Sequence, residues 1–211
     1  MRVGGRQVLR TASLRGAFGV PMVANDGTAG GLTRDGRTLV VSTLAGTAPV
    51  TRFAVLDTKS FKVRQMIRLG GPWAFDALSA NGDKLFLIQY VSTPNAIHYV
   101  VRAYDLGLHQ LVAGAIADKT EPGPMSGFPI SRVTSADGTW AYTLYQRGNG
   151  EKPFIHALDT RDRVAVCIDL AWQGDPNNLG NVRLTLSPDE KQLVVRRLGD
   201  GKALMSVAAP G

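Results

Sequence analysis

Asp76, Arg132 and Arg183 are the residues of this chain whose spacing most invites chemistry. Asp76 and Arg132 each stand five residues ahead of a turn residue, Asn81 and Asp137, that recurs in matching phrases. Arg183 stands six ahead of a further one, Asp189. Groups at equivalent positions of a radial repeat converge on its axis. An aspartate and two arginines there can bind a carboxylate, a phosphate or a sugar, because guanidinium offers a planar fork of donors. The same groups serve equally as a structural ion pair between neighbouring units. Trp73, in "GGPWAFDA" with Phe75, offers either a stacking floor or packing between units. The expected site is therefore a binding site of Trp73, Asp76, Arg132 and Arg183, with no catalytic residue assigned.

Other chemistries find less support. His98, His109 and His156 lack ligand-like spacing, and His156 is expected to lie on a sheet face with its hydrogen bonds satisfied. The single cysteine, Cys167, sits in "VAVCIDL" and reads as a buried strand residue rather than a reactive thiol. No Gly-x-Ser-x-Gly elbow occurs, and "GNG" and "GDG" read as hairpin turns. No metal centre and no cofactor are expected.

The elements that would position these residues come from a repeat. "TRDGRTLVVS" (33–42), "SANGDKLFLI" (79–88), "TSADGTWAYTL" (134–144) and "SPDEKQLVVR" (187–196) each join a tight turn to an apolar strand. Their markers Asp35, Asn81, Asp137 and Asp189 step by 46, 56 and 52 residues. A second phrase, "RFAVLDT", "VRAYDLG" and "IHALDTR", closes on Asp57, Asp105 and Asp159, which lie 22, 24 and 22 residues after their markers. Such an aspartate can accept hydrogen bonds from backbone amides two residues on and start the next turn. A third strand follows, in "FKVRQMIRL", "HQLVAGAIA" and "DRVAVCIDL". A fourth precedes each marker, in "AFDALS", "PISRVTS", "NVRLTLS" and, more weakly, "TAGGLT" (28–33).

Four antiparallel strands in units of this length predict an all-β fold, a β-propeller of about four four-stranded blades in one domain over 1–211. The blades are expected near 28–69, 74–117, 129–170 and 181–208. An outer strand near 6–14 would complete the last blade and hide its edge. The alternative is that the chain is a fragment of a larger propeller. The loop "DKTEPGPMSGFP" (118–129) reads as the longest irregular stretch, either functional or a plain connector.

Composition agrees with an ordinary globular protein of 211 residues, 44% hydrophobic and 19% charged. Its net charge of +7 is spread along the chain, with no basic run longer than Arg196-Arg197, which speaks for a solvated surface over nucleic-acid binding. There is no apolar run of membrane-spanning length.

The phrases "GGLTRDGRTLVV", "RFAVLDT", "FDALSANGDKLFLIQY", "VRAYDL", "WAYTLY", "HALDT" and "LTLSPDEKQLVV" resemble the repeats of YVTN-type, TolB-like and WD-like β-propellers, and more narrowly those of uncharacterised actinobacterial propeller proteins. The WD dipeptide itself is missing, and Asn81 and Glu190 depart from the Asp-Gly pattern. The resemblance implies an exported or envelope-associated protein and carries no catalytic residue with it. The function expected is a non-catalytic module binding a protein, peptide or glycan. The alternative is a lactonase-like hydrolase working at the central channel.

Overall fold

The computed structural model describes residues 11, 13–43, 49–91, 98–120 and 123–211, and among them every regular element is a β-strand. The first sheet runs β1 (Phe18–Gly19), β2 (Thr38–Thr43), β3 (Val50–Asp57) and β4 (Val63–Gly70), in that order. The second has β5 (Trp73–Leu78), β6 (Lys84–Tyr90), β7 (His98–Asp105) and β8 (Gln110–Leu111), with β9 (Met125–Ser126) also pairing to β7. The third is β10 (Phe128–Thr134), β11 (Trp140–Gln146), β12 (Phe154–Asp159) and β13 (Val164–Asp169). The last comprises β14 (Val182–Leu186), β15 (Gln192–Arg197) and β16 (Ala203–Ala208). All strand pairings are antiparallel.

The turns that open each repeat are built alike. Thr33 Oγ1 donates to Asp35 Oδ1 at 2.7 Å, Ser135 Oγ to Asp137 at 2.6 Å and Ser187 Oγ to Asp189 at 2.6 Å. Each hydroxyl also accepts the amide five residues on, of Thr38, Trp140 or Gln192. The second repeat keeps the hydroxyl and moves the carboxylate: Ser79 Oγ donates to Asp83 at 2.8 Å, because Asn81 replaces the usual aspartate. Glu190 takes the position that glycine fills elsewhere and adopts a positive φ of 59°. The closing aspartates start the following turns: Asp57 accepts from the amide of Ser60, Asp105 from Gly107 and Leu108, and Asp159 from Arg161 and Asp162.

Period-two alternation then packs sheet against sheet. On β6, Leu85 and Leu87 join Val40, Phe53, Val55 and Ile67 of the first sheet, while Phe86 turns to Ala141 and Leu158 of the third. On β11, Tyr142 and Leu144 face Val182, Leu184, Leu193 and Val195 of the last sheet. Every core cluster thus lies between consecutive sheets. Each of these large side chains stabilises the stack by about 1.5–3 kcal/mol when fully buried.

Three expectations are revised. Residues 28–33 form no regular strand: Ala29 bridges Met22 and Leu32 bridges Leu39, and Phe18–Gly19 supplies the pairing on β2 instead. A side chain at Gly30 would sit 2.5 Å from the Phe75 ring, so the backbone here is pressed against its neighbour. The outer strand expected over 109–117 is broken into β8 and a bridge from Ile116 to Val101. The loop over 118–129 is not wholly irregular, because Met125–Ser126 continues that edge against His98 and Tyr99. The strand expected over 6–14 lies largely outside the described residues; Thr11, Ser13 and Leu14, its described part, belong to no strand.

Candidate functional site

Segments of the first three blades meet around a cavity of about 290 Å³. Thr28 to Arg34 line one side, Phe75 to Ala80 the next, and Arg132 with Thr134 to Ala136 the third. Asp76 sits at a bulge of β5, between the Phe75 and Ala77 pairings, and is 1% exposed. Across the gap, Arg132 Nη2 pairs with its Oδ1 and Nη1 donates to its backbone carbonyl. Arg132 Nε donates to Thr143 Oγ1 at 2.8 Å. The second and third blades are therefore joined by a buried ion pair at the cavity wall.

That pair heads a longer polar row. Arg132 is the register partner of Thr143, Thr143 of His156, and His156 of Cys167. The row crosses the third blade from inner to outer strand on the face turned to the second. An aspartate of the second repeat meets each end: Asp76 at Arg132, and Asp118, whose Oδ2 accepts the Cys167 amide at 2.7 Å. His156 is 1% exposed, and burial pulls its imidazole down to about 4, with Asp76 opposing that shift. His156 Nε2 and Asp76 Oδ2 have no hydrogen-bond partner among the described residues. The expectation of a satisfied histidine is thus corrected: the ring lies on the sheet face as read, but in a desolvated interface with one nitrogen unmatched. Tyr99, Tyr145 and Phe154 stack beside it, and burial raises both phenols well above their usual range.

A turn missed in the sequence spans the first and third blades beside the cavity. The amides of Asn25 and Asp26 donate to the carbonyls of Pro129 and Ile130 at 2.9 and 3.0 Å. Burial opposes ionisation of Asp26, yet hydrogen bonds from Thr28 and Ser131 hold its carboxyl below the usual value. The Asn-Asp-Gly run at 25–27 is a turn signal that marks this strap.

The expected site residues separate. Asp76 and Arg132 come together on the cavity. Trp73 is 3% exposed between the first and second blades, its indole N–H donating to the Gly70 carbonyl at 2.8 Å. Arg183 lies on the exposed face of β14, opposite Arg196, while Leu184 turns inward. Cys167 is half-buried, not fully buried, and lines a second cavity of about 230 Å³ with Arg147 and Phe154. Among the described residues, no three His, Cys, Asp or Glu side chains group as metal ligands.

No family model matches the chain, and no curated protein matches it. Among solved structures it is similar to the hydrazine synthase of Kuenenia stuttgartiensis, with TM-score 0.50 and 18% identity over 84% of this chain and 47% of that one. It is also similar to a Dos1 propeller (TM-score 0.49, 10% identity, 89% of this chain and 52% of that chain). A third is TolB of Acinetobacter baumannii (0.45, 14%, 88% and 47%). The fold is that of a β-propeller. The chain spans about half the length of these structures. Identity this low speaks to the fold and not to a shared activity.

Proposed function

We propose that this propeller is a non-catalytic binding module whose channel cavity takes a short polar group of a protein, peptide or glycan ligand. The observation that carries the reading is the cavity itself, walled by the 28–34 segment, by residues of β5 and β10 and the turns after them, and by the Asp76–Arg132 pair. Asp76 and Arg132 are already matched to each other, Arg34 lines one side, and Thr28, Thr33, Ser79 and Ser135 add hydroxyl groups around it. Such a wall recognises a ligand through hydrogen bonds and shape rather than by supplying an unpaired nucleophile or base. The repeated Ser/Thr-x-Asp turn supports kinship with YVTN-type and TolB-like propellers, and the implied export or envelope location is part of the same proposal.

The test is a screen on peptide and glycan arrays with the wild-type chain and with Ala136→Trp. Ala136 is exposed at the cavity and an indole there would fill the opening. Retained folding with lost binding supports the reading. Equal binding by both proteins, or turnover of a lactone panel that Ala136→Trp abolishes, overturns it.

A further inference from the structure

Beside the channel cavity, and sharing Thr33, Arg34 and Ala80 with it, runs a groove of about 630 Å³ between the opening turns of the first two blades. Arg34, Arg37 and Arg64 line it. Arg34 and Arg37 share one turn, and the fold brings Arg64 to them from the next. Arg34 joins none of the ion pairs between described residues. Arg37 meets Asp35 only at 3.6 Å with both side chains exposed, a pairing that water readily replaces. Arg64 pairs with Asp57, whose carboxyl is held down to about 2 by the Ser60 amide and hydroxyl and by that guanidinium.

The charge is also lopsided along this face. The turns of the first blade (33–38 and 57–64) carry Arg34, Arg37, Lys59, Lys62 and Arg64 against Asp35 and Asp57. The equivalent turns of the second blade carry Lys84 against Asp83 and Asp105, and those of the third Arg161 and Arg163 against Asp137, Asp159 and Asp162. Those of the last blade balance Lys191, Arg197 and Lys202 against Asp189, Glu190 and Asp200, so this face has a basic end and a neutral to weakly acidic remainder.

We propose that this groove is a docking surface for an acidic polypeptide segment of a partner protein. Guanidinium forks pair two-point with carboxylates, and the hydroxyl of Thr38 and the turn at Gly82 leave polar groups along the floor. Asp35 and Asp57 interrupt the cations, so the groove matches carboxylates spaced along a peptide. It does not match the unbroken charge of nucleic acid, one phosphate charge per about 1.7 Å of duplex, which would also press on the acidic turns of the next blades.

The probe is a fluorescein-labelled ten-residue peptide of alternating Glu and Ser, titrated by anisotropy against the full chain. Inorganic phosphate and a five-phosphate oligothymidylate serve as competitors. Binding that weakens several-fold from 50 to 200 mM salt, and by about tenfold or more in R34S/R37S, is expected. Both substitutions are on exposed side chains, and an unchanged melting temperature confirms the fold. Ala136→Trp blocks the channel cavity and is expected to leave this binding intact, which separates the groove from the channel reading. Absent binding, equal binding by R34S/R37S, or stronger competition by the oligothymidylate than by unlabelled peptide overturns the proposal.

Discussion

Lowering the pH from 7 to 4 should weaken this fold through one residue, His156. Its imidazole titrates at about 4 in the folded protein against an ordinary value of 6.5, because burial between the second and third blades disfavours the cation. Asp76 and Asp118 favour the cation, Arg132 opposes it, and Tyr145 packs edge-on against the ring. Below pH 6.5 the unfolded chain binds a proton that the folded chain refuses until about pH 4. The stabilisation is therefore complete above 6.5 and is lost as pH falls through that interval. A shift of this size is worth about 3 kcal/mol, a large share of the 5–15 kcal/mol typical of a domain. Asp57 and Asp137 titrate at about 2 from an ordinary 3.8, so the stability they add is lost as pH falls from about 3.8 to about 2, below the interval of His156. Urea unfolding followed by tryptophan fluorescence at pH 7, 6, 5 and 4 reads the effect. The wild-type midpoint should fall steadily over this interval, and that of His156→Leu should stay nearly level. A flat wild-type profile, or the same slope in His156→Leu, refutes the reasoning.

Three further outcomes follow from the same geometry. Asp76→Asn or Arg132→Met alone should cost about 3–5 kcal/mol in urea unfolding, since each strands a buried charge or its donors, while an apolar replacement of both should recover much of the loss. Gly30→Ala should destabilise by about 1–3 kcal/mol, because its Cβ would stand 2.5 Å from the Phe75 ring and 2.9 Å from Val23. Ser135→Ala removes both the donor to Asp137 and the acceptor of the Trp140 amide and should cost about 1–2 kcal/mol, seen as faster hydrogen exchange at Trp140.

What the sequence disclosed was whatever is local. The hydroxyl–aspartate turns and the closing aspartates are made by residues within five positions of one another, so their spacing survives as text. The meeting of Asp76 with Arg132 was also legible, because equivalent positions of a radial repeat face one another. Its bland reading, an ion pair between blades, is what the structure shows. Arg183 failed to join because Leu184 took the inward direction on β14, and one step along a strand reverses the face. The rest depended on contacts between distant segments. The split edge strand relies on Met125–Ser126 reaching back to β7, and the polar row relies on the register of four strands. The basic groove needs Arg34 and Arg37 of one turn to meet Arg64 from another.

The central claim, that ligand enters the cavity beside Asp76 and Arg132, is tested most directly by amide chemical-shift mapping. The labelled chain would be titrated with whichever peptide or glycan the array selects. The largest changes are expected at Gly30, Gly31, Asp76, Ala77, Arg132 and Ser135. Changes centred instead on 147–151 and 171–180, with those amides unmoved, would contradict it.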